Sequence, residues 1–347
     1  MHPGQLLFAG FQGTEVPEDL AALVREGRVG GVVLFARNLG PAAQVREIVA
    51  RLHALAPAAA PLCVAIDQEG GRVQRLRAPW TEWPPMRRLG ELDDLAFTAR
   101  VARALARELA DLGIDLDFAP VVDVDTNPAN PVIGDRSFGR EPARVARHAR
   151  AFIEAMQAEG VAACAKHFPG HGDTYEDSHV ALPRVDHTLE RLRAVELVPF
   201  RAAAEAGVAS MMTAHVLVPC LDSRVPATLC GGALELLRGE LGYDGVVFGD
   251  DFEMAAVAQH FSAREATRRA LEAGVDALLV CSRADVRDEV IAELERLPVA
   301  QLEPALRRVG LLKRRFAGGR HARAGAPPYP AHRELAAGLA AQRTSST

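Results

Sequence analysis

Short apolar runs recur along the chain, at Leu6–Phe11, Gly31–Phe35, Leu62–Ile66, Leu116–Val124, Val161–Ala165, Ser210–Ala214, Gly245–Phe248 and Ala277–Val280. Runs this short and this uniformly apolar read as strands buried on both faces, the pattern of a parallel sheet. The stretches between them are long enough for helices, and several carry helix signals. Thr98–Leu112 sets Val101, Leu105, Leu109 and Leu112 on one face and stops at Gly113. Pro142–Glu159 opens on a proline, spaces Val145, Phe152, Ile153 and Met156 along an apolar stripe, and ends at Gly160. Ser262 and Glu265 form a capping box for a helix ending near Gly274. Strands alternating with helices predict an α/β fold, a single (β/α)8 TIM-type barrel over residues 1–316. A C-terminal extension, residues 317–347, reads as a Gly/Pro-rich connector, a short helix over His332–Gln342 and a polar tail.

Length and composition agree with that pattern. The chain has 347 residues, and a barrel of this type takes roughly 250 plus insertions. Charged residues are 24% and hydrophobic residues 49%, a globular balance. A net charge of −5 without a long basic run argues against a nucleic-acid partner. No apolar stretch approaches the roughly 18 residues of a membrane span, so no membrane partner is expected. Met1-His2-Pro3-Gly4-Gln5 lacks the basic start of an export signal, and Leu6–Phe11 is too short for its apolar core. The expectation is a cytoplasmic protein. Cysteines 63, 164, 220, 230 and 281 show no CxxC spacing, and three sit in or beside apolar runs, which predicts buried thiols and no disulfide frame.

Chemistry gathers where the apolar runs stop. The fifth run delivers Lys166-His167-Phe168-Pro169-Gly170-His171-Gly172-Asp173-Thr174, then Asp177-Ser178-His179. Groups that ionise and hydrogen-bond this strongly are rarely crowded together for packing alone. Arg37-Asn38 follows the second run, Asp67 to Arg75 the third, Asp123, Asp125 and Asp135-Arg136 the fourth, His215 the sixth and Asp250-Asp251 the seventh. In an eight-stranded barrel these ends open on one mouth. Structural roles compete for some of them. Asp251 reads as a helix N-cap or a supporting residue. Asp123 and Asp125 fit bracing a turn and taking part in chemistry equally. Arg72 and Arg75 fit surface ion pairs, although Gly70-Gly71 beside them suggests a backbone folded tightly near a ligand. Met211 and Met212 read as core.

Three segments together resemble family 3 glycoside hydrolases: Asp67-Gln68-Glu69-Gly70-Gly71-Arg72-Val73-Gln74-Arg75, the loop from Lys166 to His179, and Gly245-Val246-Val247-Phe248-Gly249-Asp250-Asp251. The likeness covers about the first 315 residues and is greatest to the single-barrel bacterial β-N-acetylhexosaminidases of peptidoglycan recycling. It implies a retaining hydrolase that removes terminal β-linked N-acetylglucosamine, with no metal or other cofactor. The substrate it implies is a small glycan, N-acetylglucosamine-anhydro-N-acetylmuramic acid with or without peptide. Carried over by position, the resemblance implies Asp250 as nucleophile, His179 as proton donor and acceptor, and Asp177 as its supporting residue. It implies Asp67, Arg75, Arg136, Lys166 and His167 as sugar-binding residues. Arg136 and Arg37 are candidates for the muramic-acid carboxylate. One departure stands out: the family usually has Ser or Thr before the nucleophile, where this chain has Gly249.

These residue types suit the reaction. Retention needs a carboxylate that attacks the anomeric carbon and a group that protonates the leaving oxygen. A histidine paired with an aspartate can both give and take that proton near neutrality. Three rivals share the residues. A metal-dependent barrel hydrolase would use His167, His171, Asp173, Asp177 and His179 as ligands, although no HExxH is present. A sugar-binding protein would keep Asp67, Lys166 and His167 without turnover. A related transferase would pass the sugar to phosphate, or the same barrel would act on other β-N-acetylglucosaminides.

Overall fold

The computed structural model describes residues 1–175 and 182–341. Eight parallel strands close into a barrel: β1 (Leu7–Ala9), β2 (Gly31–Leu34), β3 (Cys63–Ile66), β4 (Leu116–Asp117), β5 (Ala162–Phe168), β6 (Ser210–Thr213), β7 (Val246–Asp251) and β8 (Ala277–Val280). Each pairs with the next in sequence, and β8 returns to β1 with Leu278 opposite Leu7. This is the TIM-type α/β barrel that the strand–helix alternation predicts. No helix is long and apolar enough to cross a membrane among the described residues.

The strand bounds differ from expectation in instructive places. The run Leu116–Val124 yields only a two-residue strand. Pro120 cannot donate to a ladder, yet the carbonyls of Ala119 and Pro120 still accept from the amides of Cys164 and Lys166, at 2.8 and 3.3 Å. β5 and β7 run past their apolar cores into polar residues, because neighbouring backbone groups keep pairing beyond the last buried side chain. The helices at Leu95–Leu112 and Pro142–Ala158 match their signals, and Gly113 closes the first at φ +82°. The capping-box helix is Ala263–Ala273, with the Ser262 hydroxyl accepting from the Glu265 amide. The C-terminal helix is Pro330–Ala341.

Rings fill the barrel centre. Phe248 on β7 meets Phe8 of β1 edge-on at 4.8 Å and Phe118, just past β4, at 5.3 Å. A Cβ on Gly31 would fall 2.2 Å from the Phe8 ring, so this strand position admits only glycine. Four cysteines are buried and Cys220 is exposed, all as free thiols.

Candidate active site

β3, β5 and β7 all end at a cavity of about 300 Å³. Asp67, Arg75, Arg136, Lys166, His167 and Asp250 all line it, together with Glu69, His171 and Asp251. Asp177 and His179 lie outside the described residues.

Local sequence explains how several of these arrive. After β3 the chain makes a small hairpin, Gln68–Gly70 against Val73–Gln74. Its turn needs left-handed backbone at Gly70 and Gly71, with φ +95° and +60°. The two glycines are tight because Pro84, Pro85 and Met86 press on them. The glycines themselves do not line the cavity, although Glu69 and Val73 on either side of them do. The Gln68 side chain clamps the hairpin from inside, its Oε1 accepting from the amides of Arg75 and Leu76 at 2.8 and 2.9 Å. That clamp sets Arg75 beside Asp67, where Nη2 donates to Oδ2 at 3.1 Å. On β5 the pairing register slips between Lys166 and Phe168, and the adjacent side chains of Lys166 and His167 both reach the cavity.

The floor is a paired ionic network. Lys166 Nζ lies 2.9 Å from Asp67 Oδ1 and 2.6 Å from Glu69 Oε1. Arg136 grips Glu69 through two hydrogen bonds of 2.8 Å. Burial alone would raise the acids and lower the lysine. The opposite charges win. Asp67 is held far below the usual carboxylate range by Lys166 and Arg75. Glu69 is drawn down to about 2 by Arg136 and Lys166. Lys166 is pushed well above its ordinary value.

His167 and His171 are organised by Asp123, which is fully buried. Its Oδ2 accepts from the His167 amide at 3.1 Å and faces the His167 Nδ1 at 2.8 Å, while Oδ1 accepts from the His171 amide at 2.7 Å. Asp123 therefore orients a cavity-lining ring and braces the loop at once. Asp125 pairs with Arg87 and Arg140. Burial, with His167 nearby, lowers His171 to about 4, so that ring is neutral at pH 7.

Asp250 stands near the end of β7. Burial would raise its carboxyl, but His215, His167, the Asp251 amide and Lys166 together hold it below the ordinary aspartate value. The amide of Asp251 donates to Asp250 Oδ1 at 2.8 Å. Asp251 differs from its neighbour: burial and the charge of Glu253 push it up to about 7. Its Oδ1 accepts from the Glu253 amide at 3.1 Å, but the next helix, Ala255–Ala258, is preceded by Met254, so Asp251 does not cap it as the N-cap reading expects.

Several other expectations resolve. Arg72 makes an exposed pair with Asp135 at 2.8 Å. Arg37 donates to the carbonyls of Phe11 and Cys281, lies over the Phe35 ring and does not line the cavity. Of the metal-ligand candidates, His167 faces Asp123, His171 faces Thr174, and Asp173 meets Thr126 and His187. Among the described residues no three such side chains are grouped to hold a metal. In the sequence Glu69 stands inside the Asp67–Arg75 motif without a role of its own. The signal was charge balance: Arg75, Arg136 and Lys166 around one mouth need more carboxylate than Asp67 provides.

Comparison with known proteins agrees with this geometry. Residues 3–312 match the glycosyl hydrolase family 3 N-terminal domain. A β-hexosaminidase of Thiobacillus denitrificans is 44% identical over 289 residues, 82% of this chain and 80% of that protein. The structure of a family 3 β-N-acetylglucosaminidase from a Paenibacillus species superposes with a TM-score of 0.92 at 41% identity, over 97% of this chain and 67% of that one. NagZ from Neisseria gonorrhoeae gives 0.85 at 33% identity, over 97% of this chain and 98% of that one. That protein has also been solved with N-trifluoroacetyl-D-glucosamine. With a barrel of this type, a charged cavity at its strand ends and relatives of this similarity, the chain belongs to the family 3 glycosyl hydrolases, among the β-hexosaminidases.

Proposed function

We propose that this protein is a retaining β-N-acetylhexosaminidase that removes terminal β-linked N-acetylglucosamine from muropeptide fragments in the cytoplasm. In this reading Asp250 attacks the anomeric carbon and forms a covalent glycosyl ester. His179, supported by Asp177, protonates the leaving oxygen and then takes a proton from the incoming water. Asp67, Arg75, Arg136, Lys166 and His167 bind the sugar hydroxyls and the acetamido group.

The observation that carries the reading is the state of Asp250. It is a carboxylate kept ionised among nitrogen groups, at the wall of a cavity sized for one sugar. An ionised carboxylate there can act as nucleophile and stabilise oxocarbenium charge. The charged floor supplies directional donors and acceptors on fixed side chains, which suits a hydroxylated ring. The N-acetylglucosamine specificity follows the β-hexosaminidase relatives and the N-trifluoroacetyl-D-glucosamine complex of the N. gonorrhoeae protein.

The test is trapping with a slow fluorinated N-acetylglucosamine donor, followed by peptide mass mapping. An adduct on Asp250, and release of product with its β configuration retained, are the expected results. Product of inverted configuration, or an adduct on another residue, overturns the proposal. Hydrolysis of N-acetylglucosamine-anhydro-N-acetylmuramic acid, compared with chitobiose, tests the substrate class.

A further inference from the structure

His215 lies beyond β6, fully buried beside the turn that carries Asp250. Its ring Nε2 is 3.0 Å from the backbone carbonyl of Asp251, and its Nδ1 is 2.8 Å from the Thr228 hydroxyl. A carbonyl oxygen can only accept, so Nε2 carries the proton in this contact. Asp251 is thereby held from both sides. Its carbonyl is bound by His215, and its amide donates to the Asp250 carboxylate.

The ring is itself fixed. Thr228 Oγ1 lies 2.9 Å from Thr213 Oγ1 and 3.0 Å from the Ala214 carbonyl. Thr213 pairs across the sheet with Gly249, the residue before Asp250. Gly249 brings no side chain of its own. A Cβ there would meet the Phe252 ring at 3.0 Å and the Thr228 methyl at 3.1 Å. Phe252 in turn lies against the His215 ring, with centroids 6.2 Å apart. Thr228 and Phe252 therefore occupy the room beside Gly249 and steady the imidazole that holds the next peptide.

We propose that His215, oriented by Thr228, is a positioning residue that sets the Asp250 carboxylate for attack. The inference rests on the reading of Asp250 as nucleophile. His215 does not line the cavity, and its hydrogen bond to the Asp251 carbonyl carries its effect to the angle and hydrogen bonding of Asp250. A carboxylate displaced by about 1 Å loses near-attack geometry, an effect worth about 10²-fold in rate. Losing the imidazole also removes one of the groups that keep Asp250 ionised. His167 and Lys166 from β5 and the Asp251 amide also favour the ionised form, His171 lies near in the following loop, and the Asp251 carboxyl beside it opposes ionisation.

The experiment compares full-length wild type with His215→Gln, His215→Phe and Thr228→Val, each checked for a wild-type melting transition. Each is treated with the slow fluorinated N-acetylglucosamine donor, and the adduct is mapped by mass. His215→Phe should slow adduct formation about 10²-fold, change KM less than about threefold, and move the acid limb of kcat/KM to higher pH. His215→Gln keeps an N–H near the place of Nε2 and should recover most of the rate. Thr228→Val, nearly isosteric, should slow adduct formation about 3- to 10-fold even if His215→Phe fails to fold. Adduct formation by Thr228→Val at the wild-type rate overturns the proposal, as does folded His215→Phe within threefold of wild type. A rate loss in His215→Gln equal to that in His215→Phe overturns it as well. An adduct mapped away from Asp250 in the wild-type protein would instead overturn the nucleophile reading, a separate failure recognisable before any variant is made.

Discussion

The barrel buries charge at both ends and treats it in opposite ways. At the mouth, Asp67, Glu69, Lys166 and Arg136 are paired at hydrogen-bond distance and stay ionised despite burial. At the base, Asp115 and Lys313 are as deeply buried but do not pair with each other closely. Lys313 donates to the side chain of Gln5, whose own amide holds the carbonyls of Gly27 and Val29 at 2.8 Å. Asp115 accepts from the amides of Val64 and Gly319, at 2.9 and 3.0 Å, and ties the start of the C-terminal connector to β3. Burial pushes Asp115 up to about 7 and Lys313 down to about 8, both towards the uncharged form. The comparison teaches that, between these two clusters of equal depth, close ion pairing is what keeps the buried groups charged. The paired ions at the mouth keep their charges, and the base uses the same residue types to close the barrel.

The severest break in the comparison is at the mouth. Asp250→Ala should lower kcat on a nitrophenyl β-N-acetylglucosaminide about 10³-fold or more while the melting transition stays cooperative. A folded variant retaining a tenth of wild-type activity would remove Asp250 from the reaction.

Glu69→Ala removes the acid shared by Lys166 and Arg136 and leaves two cations facing each other. A loss of about 3–5 kcal/mol in folding stability is expected, with a raised KM, measured by denaturant titration and steady-state kinetics. A stability change below about 1 kcal/mol would show that the network is not held by this residue.

Asp115 sharpens the contrast through pH. Its folded pKa lies above the unfolded value, so the native state binds the extra proton between about pH 4 and 7. Its contribution therefore falls as pH rises through that window. Glu69 is shifted down, so its contribution is present above about pH 4.5 and lost as pH falls towards 2. Asp115→Asn should gain on wild type between pH 5 and 8 by on the order of 2–4 kcal/mol, with kcat/KM unchanged. Parallel stability curves for the two proteins would contradict it. The smallest effect belongs to the exposed Arg72–Asp135 pair: Arg72→Ala should change stability by about 0.5 kcal/mol or less and activity less than twofold.

Much of this molecule is legible along the chain. The eight apolar runs find the eight strands because buried parallel strands need apolar side chains on both faces. Asp67, Lys166, His167 and Asp250 could be picked out because they sit where those runs end. Arg136 also follows a run, the fourth, but its role as a sugar-binding residue came only through the motif resemblance. Glu69, Asp123 and His215 stood in the same stretches without a visible task, since each acts on a partner 36 to 67 residues away.

The sequence by itself determined the barrel, its order of strands and the side of it on which chemistry collects, because periodicity and strand ends are local properties. Only the tertiary structure decided which ions pair, which acids stay charged, and that Pro84, Pro85 and Met86 pack against the Gly70-Gly71 turn. Those outcomes depend on distances between segments and on the water each group loses. Both are set when the barrel closes.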